Sequence, residues 1–171
     1  MDAFFRVMSA TDELVRNNDG YTFRYRERNL HAAPRRRVAV LACMDARIDV
    51  HRVLGLAEGD AHVIRNAGGQ ATDDAIRSLA ISQRRMGTTE IILIHHTDCG
   101  MAHFTEAEMN REVRAETGRE APFRWGAVTS VEADLRETIA RVRSSPFIPN
   151  RDQVRGFVLD LESGRLRELV V

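Results

Sequence analysis

Two short motifs carry the residue types that could do chemistry in this chain. The first is C-x-D-x-R, formed by Cys43, Asp45 and Arg47, and the second is H-x-x-C, formed by His96 and Cys99. These are the only two cysteines of the sequence. Two thiolates and one imidazole form a zinc-binding set that leaves one of four tetrahedral positions open, which is the property that separates catalytic zinc from structural zinc.

Each motif taken alone has a simpler interpretation. A free cysteine is most often a small buried apolar residue, and an isolated histidine is more often hydrogen-bonded than a ligand. Asp45 and Arg47 alone would form an ordinary ion pair at a strand end. In a metal site, Asp45 either accepts a hydrogen bond from metal-bound hydroxide or becomes the fourth ligand and closes the site. The planar fork of Arg47 can hold that carboxylate through two bonds.

Buried strands are expected to position these motifs. Three short apolar runs, at 38–42, 61–64 and 91–94, each lead into a polar loop that contains the candidate residues or a pair of glycines. Continuous apolar runs are typical of parallel strands that are buried on both faces. Because ligands bind at the carboxyl ends of such strands, the two motifs are predicted to meet at one edge of a sheet.

Helical patterns alternate with these runs. A helix capped by Thr72 is predicted to end before Gly87, and residues 105–108 and 129–132 each match a capping box. Residues 156–171 have the pattern of a hairpin. We therefore predict an α/β fold, with a mostly parallel β-sheet flanked by helices.

The amino-terminal segment is predicted to be a helix and an irregular arm. Residues 2–18 place Phe4, Phe5, Met8 and Val15 near one helical face, and a stop is expected at 17–20. The segment 21–34 has no clear period. The 171 residues suffice for one domain with a core that needs no disulfides.

The composition excludes several classes of function. The 25 basic residues, all arginine, balance 25 acidic residues, so there is no global field to attract nucleic acid or an acidic membrane. No export signal and no membrane-spanning run is present in the sequence. We therefore expect a cytoplasmic protein, whose reduced thiols favour metal binding or catalysis over a disulfide.

Other cysteine and phosphate chemistries do not fit the spacing. A redox pair would prefer C-x-x-C, and a cysteine phosphatase needs a longer loop between Cys43 and Arg47. The loop 66–69 resembles an anion-binding loop before a helix, but no Walker lysine accompanies it. A bicarbonate-sized anion or close backbone packing is the more economical interpretation, which makes Gly68 and Gly69 candidate substrate-binding residues.

Together these motifs resemble the β-class carbonic anhydrases. The match covers roughly Val38 to the carboxyl end, and the His-Thr-Asp-Cys-Gly-Met form and short length look most like the compact prokaryotic branch. The resemblance is carried by residues 44–47, 61–69, 95–101, 145–149 and 155–157.

This resemblance implies zinc on Cys43, His96 and Cys99, with Asp45 and Arg47 as a catalytic dyad. The implied reaction is the reversible hydration of carbon dioxide to bicarbonate and a proton through zinc-bound hydroxide. The implied fold is a parallel sheet extended by an antiparallel C-terminal strand. The implied assembly is a homodimer or higher homo-oligomer that uses the amino-terminal helix and arm, residues 1–34.

Three questions stay open at this point. The same metal motif occurs in hydrolases of carbonyl sulfide and carbon disulfide, so the motif does not separate these substrates. A non-enzymatic zinc- or thiol-sensing module, with Asp45 as a permanent fourth ligand, is the second alternative. Four histidines are candidate proton shuttles: His51, His62, His95 and His103. Because His95 adjoins His96 in a predicted strand, its side chain should point away from the site.

Overall fold

The structure, a computed structural model, describes residues 9–25 and 30–171. The chain divides into two units, Met1–Leu30 and His31–Val171. Among the described residues, no helix is both long and apolar enough to cross a membrane.

The first unit contains helix α1, Ala10–Arg24. Its capping box starts at Ser9, whose hydroxyl accepts a bond from the amide of Asp12 at 3.1 Å. The predicted stop at 17–20 is wrong, because the helix continues to Arg24. Asparagine and glycine lower helix propensity by only about 1 kcal/mol each, which is too little to end a capped helix. Phe4, Phe5 and Met8 lie outside the described residues.

The second unit is built on a five-stranded sheet. Its strands are β1 (Val38–Cys43), β2 (Ala61–Asn66), β3 (Glu90–His96), β4 (Val154–Leu159) and β5 (Leu166–Leu169). Their order in the sheet is β2-β1-β3-β4-β5. Strand β1 pairs in parallel with β2 and β3, β3 pairs in parallel with β4, and β4 pairs antiparallel with β5. The predicted mostly parallel sheet with an antiparallel C-terminal strand is therefore confirmed.

Side-chain alternation divides the core into two layers. Leu93 of β3 packs with Leu135 and Ile139 on one face of the sheet, whereas Ile94 packs with Val40 on the other. Burial of these strands on both faces is what their continuous apolar sequences require.

Helices cover both faces of the sheet. They are α2 (Val50–Leu54), α3 (Asp73–Met86), α4 (Glu106–Thr117) and α5 (Val131–Ser144). Three of the four helix boundaries predicted for this unit are correct. Thr72 caps α3, Thr105 opens a capping box at α4, and Gly87 ends α3 in a left-handed conformation. The predicted capping box at 129–132 is wrong by one residue, because Ser130 is the residue that accepts from the amide of Ala133.

Candidate metal centre

Cys43, His96 and Cys99 meet at the carboxyl edge of the sheet. Cys43 is the last residue of β1 and His96 the last of β3, and Cys99 follows in the loop after β3. All three side chains are buried, and their potential ligand atoms lie within 4.8 Å of one another. The sequence prediction that the two motifs converge is thus borne out by their positions.

The imidazole of His96 is oriented as a ligand would be. Its Nδ1 donates to the carbonyl oxygen of Thr97 at 2.9 Å, so Nε2 is left with a free lone pair. Nε2 is buried and has no hydrogen-bond partner among the described residues. Buried polar atoms are nearly always satisfied, so an unpaired nitrogen beside two sulfurs indicates a missing partner.

The two thiol groups lie within hydrogen-bonding distance of each other. Sγ of Cys43 lies 4.0 Å from Sγ of Cys99. The hydrogen bond from Cys99 lowers the pKa of Cys43, helped by the backbone amides of Asp45 and Gly68. The same contact raises the pKa of Cys99. Both sulfurs become thiolates together only when a positive charge lies between them, so this donor set fits a bound metal ion.

Asp45 borders the same space and is held by Arg47. Oδ1 of Asp45 accepts from Arg47 Nε at 3.0 Å, and Oδ2 accepts from Arg47 Nη2 at 2.8 Å. Oδ2 also lies 3.9 Å from Nε2 of His96. The Arg47 guanidinium holds the pKa of the Asp45 carboxyl well below its usual range. Asp45 is therefore an ionised acceptor beside the candidate ligands.

Asp98 and Arg65 also form hydrogen bonds at this site, and neither was predicted from the sequence to do so. Asp98 binds the far side of Arg47 through its Oδ2, 2.7 Å from Nη1. Arg65 donates from Nε to the carbonyl oxygen of Cys43 at 2.9 Å and from Nη2 to that of Asp45 at 2.6 Å, which fixes the loop after β1. The position of Asp98 between His96 and Cys99 is the one sequence signal that pointed to it.

Gly68 and Gly69 lie against the metal-centre loop. Both are buried and have positive φ, 76° and 69°. A Cβ on Gly69 would lie 2.8 Å from the amide nitrogen of Cys43 and 3.1 Å from the carbonyl oxygen of Ile94. Close backbone packing, one of the two interpretations from the sequence, therefore accounts for Gly69, and substrate binding by the two glycines stays a prediction.

His95 faces away from the site, as strand alternation predicts. Its Nε2 lies 3.2 Å from the carbonyl oxygen of Gly69, and its Nδ1 lies 3.2 Å from Oδ2 of Asp134 on α5. Burial lowers the pKa of His95 to about 4 and raises that of Asp134 to about 6.

The other three candidate proton shuttles, His51, His62 and His103, lie in different surroundings. His62 is bonded to Ser82 and to the carbonyl oxygen of Ala32 at 2.8 Å each, and His51 is exposed on α2. His103 is exposed, and its Nε2 lies 3.4 Å from Oδ1 of Asp98.

Comparison with known proteins agrees with this geometry. A sequence model of the family described as carbonic anhydrase matches residues 38–122. The chain is 46% identical to beta-carbonic anhydrase 1 of Mycobacterium tuberculosis, over 95% of this chain and 99% of that protein. The chain belongs to the β-carbonic anhydrase family.

Two other similarities bear on fold and substrate. The crystal structure of a carbonic anhydrase from Streptococcus mutans superposes with a TM-score of 0.90 at 42% identity, covering 96% of this chain and 100% of that one. A carbon disulfide hydrolase of Saccharolobus solfataricus is 46% identical over 95% of this chain and 90% of its own length. Overall identity thus does not distinguish the two substrate classes.

Proposed function

We propose that this chain is a zinc enzyme that catalyses the reversible hydration of carbon dioxide to bicarbonate and a proton. One observation carries the proposal: Cys43, His96 and Cys99 converge within 4.8 Å at the edge of the sheet, beside a carboxylate that an arginine holds. The similarity to a beta-carbonic anhydrase over nearly the whole chain supports the same activity.

Cys43, His96 and Cys99 are the proposed zinc ligands. Two soft sulfurs and one imidazole nitrogen suit zinc better than magnesium, calcium or manganese, which prefer oxygen. When bound, zinc supplies the Lewis acidity that lets a water molecule ionise near neutral pH. The bond between His96 Nδ1 and Thr97 fixes the ring so that Nε2 faces the two sulfurs.

Asp45 and Arg47 are the proposed catalytic dyad. The ionised carboxylate of Asp45 can only accept hydrogen bonds, so it orients the attacking water-derived oxygen by accepting its hydrogen. Arg47 in turn binds both carboxylate oxygens and so fixes which way their lone pairs point. Gly68 and Gly69 complete the proposal as substrate-binding positions, since glycine amides that precede a helix attract a bicarbonate-sized anion.

Hydrolysis of carbonyl sulfide or carbon disulfide is the alternative activity on the same site. The 46% identity to a carbon disulfide hydrolase favours testing it directly. Stopped-flow hydration of carbon dioxide by the zinc-loaded protein should therefore be run beside sulfide release from both sulfur substrates. Rapid hydration without sulfide release supports the main proposal, and the reverse result replaces it with the alternative.

A non-enzymatic zinc or thiol sensor is the second alternative. It needs Asp45 as a permanent fourth ligand, whereas both oxygens of Asp45 accept bonds from Arg47 in this structure. Zinc X-ray absorption at several pH values separates the two. A carboxylate oxygen in the zinc coordination at every pH, together with no hydration activity, would establish the sensor.

We further propose a homodimer or higher homo-oligomer that uses residues 1–34 of an otherwise single domain. Every side chain of α1 for which the structure gives an exposure is exposed, including Leu14 and Val15 at 68% each and Phe23 at 91%. Apolar residues so exposed on one helix are typical of a surface that another molecule covers. Sedimentation velocity of the double variant Leu14→Glu, Val15→Glu should show a species of lower mass than the unaltered chain forms.

The proposed compartment is the cytoplasm. Cys43 and Cys99 are both free and are proposed to act as thiolates, which a reducing compartment preserves. Cell fractionation with a tagged full-length chain tests this, and recovery outside the cytoplasm would reject it.

A further inference from the structure

Asp98, in the loop between His96 and Cys99, adopts an uncommon backbone conformation. Its φ is 51°, in the left-handed region, although it is not a glycine. Aspartate tolerates this region better than most residues, but the conformation still costs free energy. Such conformations persist where surrounding contacts enforce them, and they cluster at functional sites.

Asp98 accepts two hydrogen bonds from Arg47, and its other carboxylate oxygen lies 3.4 Å from Nε2 of the exposed His103. Oδ2 of Asp98 accepts from Arg47 Nη1 at 2.7 Å, and the carbonyl oxygen of Asp98 accepts from Nη2 at 2.8 Å. On the opposite side, Arg47 donates from Nε and Nη2 to the two oxygens of Asp45. The three guanidinium nitrogens are therefore all engaged, and the group is held between two carboxylates from two different loops.

We infer that Asp98 is a positioning residue, which holds Arg47 so that Arg47 can orient Asp45. The inference rests on the proposed function, because it assigns Asp98 to the machinery of that same reaction. The side chain of Arg47 is half exposed, and an exposed arginine with a single partner samples several rotamers. A second anchor from the loop between His96 and Cys99 removes that freedom and couples the loop after β1 to the loop after β3.

A surface ion pair without function is the competing explanation. The side chain of Asp98 is 63% exposed, and exposed pairs contribute little to stability. The two explanations differ in what they predict for a glycine at this position. Glycine relieves the left-handed backbone while it removes the carboxylate, so stability and turnover should change in opposite directions only if Asp98 positions Arg47.

The kinetic test compares Asp98→Asn and Asp98→Gly with the unaltered zinc-loaded protein. Asparagine tolerates the left-handed backbone and keeps one acceptor for Arg47. We expect kcat to fall in the order unaltered, Asn, Gly, by roughly 10-fold for Gly, the lower end of the effect of outer partners at metal sites. The midpoint of thermal unfolding and the zinc content should not fall in Asp98→Gly. Equal kcat in all three proteins would overturn the inference.

Asp74→Asn is the matched control. Asp74 forms an exposed carboxylate–arginine pair with Arg77 on α3, at 2.7 Å, and lies outside the described site. Its replacement should leave kcat unchanged. In addition, Asp98→Gly should have no further effect on kcat in an Arg47→Ala background, because both changes remove the same interaction. Additive losses would assign Asp98 a role independent of Arg47 and reject the inference.

A chemical measurement decides the inference even if the protein does not hydrate carbon dioxide. Phenylglyoxal modifies arginine side chains, and peptide mass spectrometry gives the rate at each of the 25 arginines. In Asp98→Gly, Arg47 should react about two- to five-fold faster, the range expected when an exposed ion pair is lost. Arg77 should be unchanged as the internal reference. An unaltered rate at Arg47 would show that Asp98 does not hold it.

Discussion

Sγ of Cys43 lies 4.0 Å from Sγ of Cys99, although the two residues are 56 positions apart in the chain. Parallel pairing of β1 with β3 brings the two loops together, because the carboxyl ends of both strands lie at the same sheet edge. The pairing of β1 with β3 therefore brings the three potential metal ligands, Cys43, His96 and Cys99, to one place.

Replacing Cys99 by serine should remove the metal. A hydroxyl is a poor substitute for a thiolate on zinc, and the remaining donors are then only Cys43 and His96. Elemental analysis after dialysis should show most of the zinc lost from Cys99→Ser. His51→Ser, at an exposed histidine on α2, is the control and should retain the metal of the unaltered chain. Full zinc retention in Cys99→Ser would remove Cys99 from the ligand set.

Asp45→Asn should keep zinc and lose most of the turnover. The amide has nearly the same shape, but it replaces one acceptor oxygen with a donor and so orients the attacking oxygen wrongly. We expect kcat to fall about 100-fold or more, as for the loss of a positioned catalytic group. Stopped-flow hydration together with zinc analysis measures both quantities. Near-normal turnover in the variant would contradict the role of Asp45.

Gly69→Ala should destabilise the protein far more than Gly87→Ala. Both glycines have φ near 70°, so each substitution carries a strain of about 1 kcal/mol. Only at Gly69 would the new Cβ also meet backbone atoms, at 2.8 Å from the nitrogen of Cys43, whereas nothing lies within 4 Å at Gly87. Denaturant unfolding gives both free energies. Equal losses would show that backbone packing is not what requires Gly69.

Asp134→Asn should change the pH dependence of stability. Burial raises the pKa of Asp134 to about 6, whereas an unfolded aspartate titrates near about 3.9. The folded state therefore binds the proton more tightly, so the contribution of Asp134 to the free energy of unfolding falls as pH rises between these values. His95, whose pKa burial lowers to about 4, contributes in the opposite direction.

The comparison between variant and unaltered chain isolates this contribution. Relative to the unaltered chain, the free energy of unfolding of Asp134→Asn should increase by on the order of 1 kcal/mol between pH 4.5 and pH 7.5. Urea unfolding at the two pH values, at one protein concentration, measures it. If the variant and the unaltered chain differ in free energy of unfolding by the same amount at both pH values, Asp134 titrates in the folded protein as it does in the unfolded chain.

The strand ends that carry the ligands could be predicted because burial on both faces leaves a clear sequence signal. The apolar runs end where polar residues begin, which placed Cys43 at the end of β1 and put His95 and His96 on opposite faces. Thr72 and Gly87 similarly define α3, since capping chemistry acts over one turn and needs no tertiary contact.

Other features could not be predicted from the sequence. In some cases two neighbouring residues could each cap the same helix, and in others contacts between residues far apart in the chain accompany the local conformation. Thr129 and Ser130 are both residue types that cap helices, and Ser130 is the one that caps α5. The left-handed conformation of Asp98 is accompanied by bonds to Arg47, 51 positions away. The support that Arg65 gives to the loop after β1 likewise requires the pairing of β1 with β2.

The most direct test of the proposed zinc enzyme is the exchange of ¹⁸O between carbon dioxide and water, followed by mass spectrometry at chemical equilibrium. The zinc-loaded chain should deplete the label far faster than buffer, and the same chain stripped of metal, or carrying Asp45→Asn, should approach the buffer rate. Label depletion at the buffer rate by the zinc-loaded chain, with stoichiometric zinc on Cys43, His96 and Cys99, would contradict the account.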